Sequence, residues 1–290
     1  VTGFGAEAGA ALVDHPKVAK VAFTGSDVTG ASIYAQAAKN MKKVTMELGG
    51  KSPNIVFGDA HVENAVKGVI SGIFAATGQT CIAGSRLLVQ ESIHDEFVSK
   101  LVDLGRTARI GDPSSFDTQV GPVTNVPQYE KVLNYIDIAI SEGAETVLGG
   151  GTPKGPEIGE GWFVEPTIFT GVKNDMRIAQ EEVFGPVLSV IPFKDDEEAI
   201  SIGNDVIYGL AAGVWTQNIG RAINLANKLR AGTVWVNTYR AVSYLSPFGG
   251  YKKSGIGRES GQEMIKEYLQ QKSVWIETSN AEAPNPFVLR

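Results

Sequence analysis

Short apolar runs alternate with amphipathic segments along most of the chain. The β-branched apolar runs at 18–23, 86–90 and 187–193 are typical of buried strands, and the segments at 60–76 and 129–142 carry apolar residues at helical spacing. The same patterns predict strands at 43–48, 54–57, 145–148, 164–169, 211–215 and 232–236, and helices at 28–41, 93–107, 197–202, 221–229 and 259–269. Strands that alternate with helices indicate a parallel α/β sheet covered by helices.

Composition narrows the possible classes of function. The 290 residues are 43% hydrophobic and 20% charged, as in an ordinary globular protein. The net charge of -6 argues against nucleic-acid binding, which depends on clustered Lys and Arg. No apolar run approaches the roughly 20 residues needed to cross a bilayer, so we expect no membrane association. The single cysteine excludes an internal disulfide, which favours a reducing, cytoplasmic compartment. The three histidines lie far apart in the sequence, so we expect no metal site.

A glycine-bearing junction joins the first predicted strand to the helix at 28–41. Its residues Gly25 and Ser26 can present helix N-terminal amides to a phosphate, with Ser26 or Asp27 as the N-cap. The glycines do not follow the spacing of the dinucleotide fingerprint, so a capped turn without a ligand is the simpler interpretation. The phosphate site stays open as the alternative.

Glu47 lies at the end of the predicted strand 43–48 and precedes Gly49 and Gly50. Carboxylates are disfavoured in apolar strands, so Glu47 is expected to point into a cleft or to pair with a cation. In a cleft it would be a plausible general base, because ligands gather at the carboxyl ends of parallel strands. A salt-bridged surface acid is equally compatible with the pattern.

Cys81 is the only thiol of the chain, and it follows the predicted helix at 60–76 in a loop of small residues. Small neighbours let other groups approach the sulfur, which suits a nucleophile. A lone cysteine is also compatible with a small buried hydrophobe, since reactivity depends on a polarising environment that the sequence does not show.

Two further loops combine charge or aromatic rings with glycine. Glu181 and Glu182 precede Phe184 and a Gly-Pro break, and a carboxylate there could hold ribose hydroxyls or could simply be exposed. Phe248 lies in the aromatic, glycine-rich loop 244–252, which suits either an apolar pocket wall or the cover of a core edge.

Four motifs together resemble the aldehyde dehydrogenase superfamily. In chain order they are Glu47-Leu48-Gly49-Gly50-Lys51, Gly78-Gln79-Thr80-Cys81, Glu181-Glu182-Val183-Phe184-Gly185-Pro186 and Ser246-Pro247-Phe248-Gly249-Gly250. The resemblance runs from the first residues to about residue 277, and it matches only the later part of the family's usual chain. We therefore expect the chain to begin inside a longer protein, with most of the dinucleotide-binding domain missing.

The resemblance implies a role for each matching residue. Cys81 corresponds to the nucleophile and Glu47 to the general base. Glu182 corresponds to the acid that contacts the nicotinamide ribose, and Phe248 to the aromatic residue of the aldehyde tunnel. The remaining matches imply cofactor contacts for Gly25, Ser26, Gly30, Leu48, Gly49 and Phe184, and a place near the catalytic loop for Asn237.

The implied fold is an aldehyde dehydrogenase-like α/β fold. It comprises a remnant of a Rossmann-type cofactor domain at 1–48, a three-layer αβα catalytic domain with a parallel sheet at 49–253, and a closing helix, oligomerisation strand and tail at 254–290. A strand at 273–277 without a hairpin partner would join a second copy, giving a homo-oligomer, either a dimer or a tetramer.

The implied reaction is oxidation of a small-molecule aldehyde to its acid with NAD or NADP, through a thiohemiacetal and a thioester on the cysteine. An asparagine that completes the family's oxyanion hole would lie upstream of the first residue, and the loss of one such donor slows catalysis about 100-fold to 1000-fold. Two alternatives follow: a thiol esterase that needs no cofactor, and an inactive assembly fragment.

Overall fold

The computed structural model describes residues 1–155, 158 and 161–288, and its elements follow the predicted order. The α-helices are α1 (Ala10–Asp14), α2 (Asp27–Ala38), α3 (Val62–Phe74), α4 (His94–Gly105), α5 (Val126–Ser141), α6 (Arg177–Gln180), α7 (Asp196–Asn204) and α8 (Ile219–Lys228). The strands are β1 (Lys20–Thr24), β2 (Lys43–Glu47), β3 (Pro53–Val56), β4 (Arg86–Gln90), β5 (Glu145–Leu148), β6 (Thr167–Thr170), β7 (Val187–Phe193), β8 (Tyr208–Gly209), β9 (Ala211–Trp215), β10 (Thr233–Val236), β11 (Tyr251–Lys252) and β12 (Gly255–Ile256).

The larger sheet has seven strands in the order β10-β9-β3-β4-β7-β6-β5. All neighbouring strands are parallel except β5 and β6, which are antiparallel. Parallel neighbours need crossover connections, and the helices between the strands provide them. The result is the α/β fold that the alternating pattern predicts.

Helices cover both faces of this sheet. On one face, Val69 of α3 and Leu101 of α4 pack with Val89 and Val190 of the central strands. On the other face, α7 and α8 pack over β3, β4 and β9, with Leu225 among the buried residues. Helix α5 covers the same face nearer to β6 and β7. The strands are therefore buried on both sides, which explains their continuous apolar runs and confirms the three-layer arrangement.

The smaller sheet has three strands in the order β1-β2-β12 and contains a parallel strand–helix–strand unit formed by β1, α2 and β2. The remaining strands, β8 and β11, form a separate antiparallel pair. The two-residue strand β12 returns from far along the chain and runs antiparallel to the end of β2, where Gly255 lies opposite Glu47. No sequence pattern marks a strand this short. Its position matters because it closes the side of the sheet on which Glu47 lies.

The chain after residue 258 differs from its prediction. The helix expected at 259–269 is a 3-10 helix, Gln262–Tyr268, without buried residues. The segment 273–277 forms no strand within the described chain, and the Trp275 side chain is 93% exposed. A strand needs a hydrogen-bonding partner, and no described strand of the same chain lies beside this segment.

Two other predictions have different outcomes. The strand expected from residue 164 begins only at Thr167, because Pro166 has no N–H to give to a ladder. The glycine-rich loop predicted at 149–161 lies partly outside the described residues.

Among the described residues, none of the helices is long and apolar enough to cross a membrane.

Candidate active site

A cavity of about 560 Å³ lies between the two sheets, a size typical of small-molecule sites. The carboxyl ends of β1 and β2 form one side. The other side is formed by the loops that precede β4 and β7, the first two turns of α5 and the loop after β10. The lining includes nine of the residues predicted from the sequence: Gly25, Ser26, Glu47, Leu48, Gly49, Cys81, Glu182, Phe184 and Phe248.

The cysteine loop, defined here as residues 75–85, turns sharply after α3. Ala76, Thr77 and Gly78 all adopt left-handed backbone angles, with φ of 52°, 56° and 68°. Gly78 is required at its position because a Cβ there would overlap the carbonyl oxygen of Gly185. The cysteine loop is thus held in an unusual backbone path that carries Cys81 to the cavity wall.

The Cys81 thiol lies in an environment that favours its neutral form. Burial raises its pKa first, and the negative charges of Glu182 and Glu47 raise it further. The backbone N–H groups of Cys81 and Ile82 act in the opposite direction by stabilising the thiolate. The resting thiol therefore keeps its proton at neutral pH, and a base is needed to activate it.

Glu47 is a suitable base for this purpose. It lies at the end of β2 with only 5% of its surface exposed, and its Oε2 atom has no hydrogen-bond partner among the described residues. Its pKa is raised to about 8, mainly by burial and also by the charge of Glu259, while Arg258 opposes the shift. A carboxyl group that titrates near neutral pH can both accept and return a proton. Of the two sequence-based alternatives, the structure shows the cleft and not the surface ion pair.

The acid loop, residues 181–186, separates its two acidic side chains. Glu182 Oε1 accepts a hydrogen bond from the backbone N–H of Gly50 at 2.8 Å, and the carboxylate faces the cavity. Burial raises its pKa, whereas the Gly50 N–H and the charges of Lys131 and Lys51 lower it. Glu181 instead accepts hydrogen bonds from Arg177 outside the cavity, at 2.9 Å from both Nε and Nη2.

The junction between β1 and α2 forms the opposite wall. Ser26 is the N-cap of α2, with its Oγ accepting the backbone N–H of Thr29 at 3.2 Å. The backbone N–H of Gly25 donates to the carbonyl of Glu47 at 3.1 Å, which joins this turn to the end of β2. Gly30 does not line the cavity. It packs behind Leu48, and a Cβ on Gly30 would overlap the Leu48 side chain.

Asn237 is not part of the cavity. It lies after β10, where its Oδ1 accepts the backbone N–H of Thr216 at 3.1 Å and its Nδ2 donates to the Thr216 carbonyl at 2.9 Å. The larger sheet presents the amino ends of its strands to the cavity, so a residue that directly follows a strand lies at the opposite edge. Asn237 therefore connects the ends of β9 and β10, contrary to its predicted position near the catalytic loop.

Sequence reasoning missed two polar residues of the lining, Gln128 and Lys131. They are three positions apart on α5 and therefore share one face of the helix. The pattern predicts the helix, but nothing in it shows that the first two turns face the cavity. Lys131 places a positive charge in a cavity that otherwise contains the carboxylates Glu47 and Glu182.

Lys51 lies just behind the Gly49–Gly50 turn and is only 1% exposed. Its pKa is lowered to about 7, mainly by burial and also by the charge of Arg86, while Glu182 opposes the shift. Arg86 is itself buried and donates from Nε to the Lys51 carbonyl at 3.0 Å. The turn between β2 and β3 is thus supported from behind by two buried basic side chains.

Comparison with known proteins gives a consistent result. The sequence model of the aldehyde dehydrogenase family matches residues 1–274. The betaine aldehyde dehydrogenase of Brucella anthropi is 49% identical over 284 residues, which cover 98% of this chain and 58% of that protein. An aldehyde dehydrogenase of Davidiella tassiana is 51% identical over 282 residues, covering 97% of this chain and 56% of the relative.

Solved structures show the same relationship. A betaine aldehyde dehydrogenase from Staphylococcus aureus in complex with NAD+ superposes with a TM-score of 0.96 at 44% identity, covering 99% of this chain and 57% of the other. An aldehyde dehydrogenase from Bacillus cereus gives a TM-score of 0.92 at 48% identity, covering 95% of this chain and 55% of the other. The chain thus spans a little over half the length of the relatives it matches. On its sequence and its fold, the chain belongs to the aldehyde dehydrogenase family.

Proposed function

We propose that this chain is the cysteine-bearing, C-terminal part of an NAD(P)-dependent aldehyde dehydrogenase, which oxidises an aldehyde to a carboxylic acid. One observation carries the proposal: the only thiol, Cys81, shares a cavity with a buried carboxyl group of raised pKa, Glu47, and with a second buried carboxylate, Glu182. The family's implied nucleophile, base and ribose-binding acid thus meet at one place.

The chain's own residues account for the covalent steps. Glu47 takes the thiol proton, directly or through water, and the Cys81 sulfur attacks the aldehyde carbon to form a thiohemiacetal. The backbone N–H groups of Cys81 and Ile82, which lower the pKa of the thiol, would supply local positive charge for the oxyanion. After oxidation to the thioester, Glu47 activates a water molecule that releases the acid and restores the thiol.

The nicotinamide cofactor, when bound, supplies the hydride acceptor for this oxidation. The described residues fit it, because the Glu182 carboxylate is fixed on Gly50 and can accept hydrogen bonds from ribose hydroxyls, with Lys131 beside it in the cavity. Leu48, Gly49 and Phe184 give an apolar wall for the nicotinamide. Gly25 and Ser26 lie at the N-terminus of α2, where helix amides favour a pyrophosphate. The S. aureus relative is described with NAD+, and we propose NAD or NADP here.

The aldehyde would enter along Phe248. Ile82 and Val242 line the cavity with it and give that side an apolar wall. We therefore propose a small-molecule aldehyde whose side chain contacts this wall. Betaine aldehyde, named for several relatives, is the first substrate to test.

We also propose the division of the chain that the resemblance implies. Residues 1–48, with the β1–α2–β2 unit, would belong to a dinucleotide-binding domain, 49–253 to the catalytic domain and 254–290 to an oligomerisation segment. The exposed apolar side chains of Val274, Trp275 and Ile276 support a strand that pairs with a second copy in a dimer or tetramer. The single cysteine suits the cytoplasm as the proposed location.

The test is to mix the purified chain with an aldehyde and NAD+ and to follow NADH absorbance. Formation of NADH in the wild type, lost in Cys81→Ala, would support the proposal. The alternative function is hydrolysis of activated esters, which needs no cofactor and would use only Cys81 and Glu47. Ester turnover that disappears in Cys81→Ala, without NADH formation, would favour that function instead.

A further inference from the structure

The segment that leads into α5, residues 121–128, contacts the cysteine loop. The Thr77 hydroxyl donates to the carbonyl of Gly121 at 3.2 Å. The side-chain oxygen of Gln79 accepts the backbone N–H of Thr124 at 3.0 Å. These two bonds fix the part of the cysteine loop that comes directly before Cys81.

The same segment also contacts the acid loop, through the side chain of Gln128. Its Nε2 atom donates to the carbonyl of Val183 at 2.8 Å and to the carbonyl of Phe184 at 2.9 Å. Phe184 has a φ of 58°, a left-handed conformation that is unfavourable for an aromatic residue. The Gln128 backbone is itself fixed, because its N–H donates to Asn125 Oδ1 at 3.0 Å.

The two loops also touch each other directly. Gly78 of the cysteine loop packs against the carbonyl of Gly185, so closely that no side chain fits between them. A displacement of the acid loop would therefore reach the cysteine loop through backbone contact. The same displacement would move the Glu182 carboxylate, which is charged and faces the thiol's side of the cavity.

We propose that Gln128 is a positioning residue whose side-chain amide clamps the acid loop against the cysteine loop and so sets the environment of the Cys81 thiol. The inference deepens the proposed function and rests on it for the role of the site, whereas the clamp can be tested without a cofactor. The charged groups that face the cavity around the thiol are Glu182 from the acid loop, Glu47 from the end of β2 and Lys131 from α5.

The test uses Gln128→Met, which keeps the length of the side chain and removes both N–H donors. Without the clamp, the acid loop loosens, the Glu182 charge moves away and water enters. Each of these changes lowers the pKa of Cys81, since burial and Glu182 are what raise it. A fall of half a unit to one unit increases the thiolate fraction about three- to tenfold at neutral pH. Because Cys81 is the only cysteine, alkylation by iodoacetamide reports on this thiol alone.

A matched control is Gln90→Met at the far end of β4. Gln90 Oε1 accepts the backbone N–H of Gly58 at 2.8 Å, and its Nε2 donates to the Lys194 carbonyl at 3.2 Å. This glutamine therefore also joins two loops through its side-chain amide, but it lies at the opposite edge of the larger sheet from the cavity. General loosening of the fold would affect both variants alike.

We expect Gln128→Met to be alkylated about three- to tenfold faster than wild type near neutral pH, with its pH profile shifted to lower pH, and Gln90→Met to match wild type. Gln128→Asn, whose amide is one methylene shorter and cannot span both carbonyls, is the second variant should the methionine variant not fold, and the same shift is expected. An unchanged profile in the Gln128 variants, or an equal shift in Gln90→Met, would overturn the proposal. Failure of wild type to form NADH would count against the proposed function but leave this thiol measurement intact.

Discussion

The backbone N–H of Gly50 donates to Glu182 Oε1 at 2.8 Å, across 132 residues of sequence. On its other side, Gly50 packs against the carbonyl oxygen of Cys81. One glycine thus contacts both the acid loop and the cysteine loop, three residues after Glu47. Cys81, Glu47 and Glu182 are brought together through this turn.

Replacing Gly50 by Ala should damage the site directly. A Cβ on Gly50 would overlap the Cys81 carbonyl oxygen, which is backbone and cannot rotate away. We expect the free energy of unfolding to fall by about 1 to 3 kcal/mol, as is usual for overpacking, and Cys81 to react faster with iodoacetamide. Chemical denaturation and alkylation kinetics measure the two effects. The control is Gly9→Ala, where nothing lies within 4 Å of the added Cβ. Equal effects of the two substitutions would contradict the close contact.

Replacing Glu47 by Gln should change how stability depends on pH. The folded chain raises this pKa from 4.5 to about 8, mainly through burial. Between about pH 4.5 and 8 the carboxyl group is ionised in the unfolded chain but still protonated in the folded chain. The wild type therefore loses stability as pH rises through this range. We expect Glu47→Gln to be more stable than wild type at about pH 9, by on the order of 2 kcal/mol, and similar at about pH 4.5.

Urea denaturation at several pH values between these limits measures this difference. A constant offset between the variant and the wild type, independent of pH, would show that Glu47 does not titrate as a buried carboxyl group.

The gain in stability from Lys51→Met should decrease with rising pH, whereas the gain from Glu47→Gln increases. Burial lowers the pKa of this ammonium group from 10.5 to about 7 in the folded chain. The wild type therefore loses stability as pH falls from about 10 through 7, because the folded chain must then take up a proton in an apolar site. We expect Lys51→Met to exceed the wild type in stability by on the order of 2 kcal/mol at about pH 6, and by less at about pH 10.

The Lys51 and Glu47 variants serve as controls for each other in the same urea series. If the stability differences of both variants from wild type changed with pH in the same direction, a general effect of net charge would explain them better than the burial of these two groups.

Replacing Asn237 by Gly should reduce stability without changing the thiol. The substitution removes two hydrogen bonds to Thr216 but keeps the left-handed φ of 54° accessible. We expect a loss of about 1 to 2 kcal/mol in the free energy of unfolding and an unchanged alkylation profile of Cys81. A several-fold change in the alkylation rate would instead connect Asn237 to the cavity.

Much of the fold could be predicted from local pattern. The strands at Arg86–Gln90, Glu145–Leu148, Val187–Phe193 and Ala211–Trp215 match their predicted bounds, because apolar runs with clear turn residues on both sides leave little choice. The segment 273–277 has a similar pattern but no partner within the described chain, and a pattern alone cannot supply one.

The site was predicted less evenly. Motifs adjacent to glycine located Glu47, Cys81 and Glu182, since acids and thiols next to tight turns are few in this chain. Asn237 was misplaced because the sequence does not show which edge of the larger sheet faces the cavity. Gln128 was missed for a related reason: the orientation of a helix is decided by packing between residues that are far apart in sequence.

Within the described residues, two passes of the chain connect the smaller sheet to the rest of the structure near the cavity. One runs from Glu47 to Pro53 of the larger sheet, and the other runs from Lys252, which pairs with Tyr208 of β8, to Gly255. Glu47 belongs to the smaller sheet, whereas Cys81 is anchored to the larger one. The relative position of the two sheets therefore sets the distance between the Glu47 carboxyl group and the Cys81 sulfur. A molecule that fills the cavity and contacts both sheets would therefore help to fix this distance.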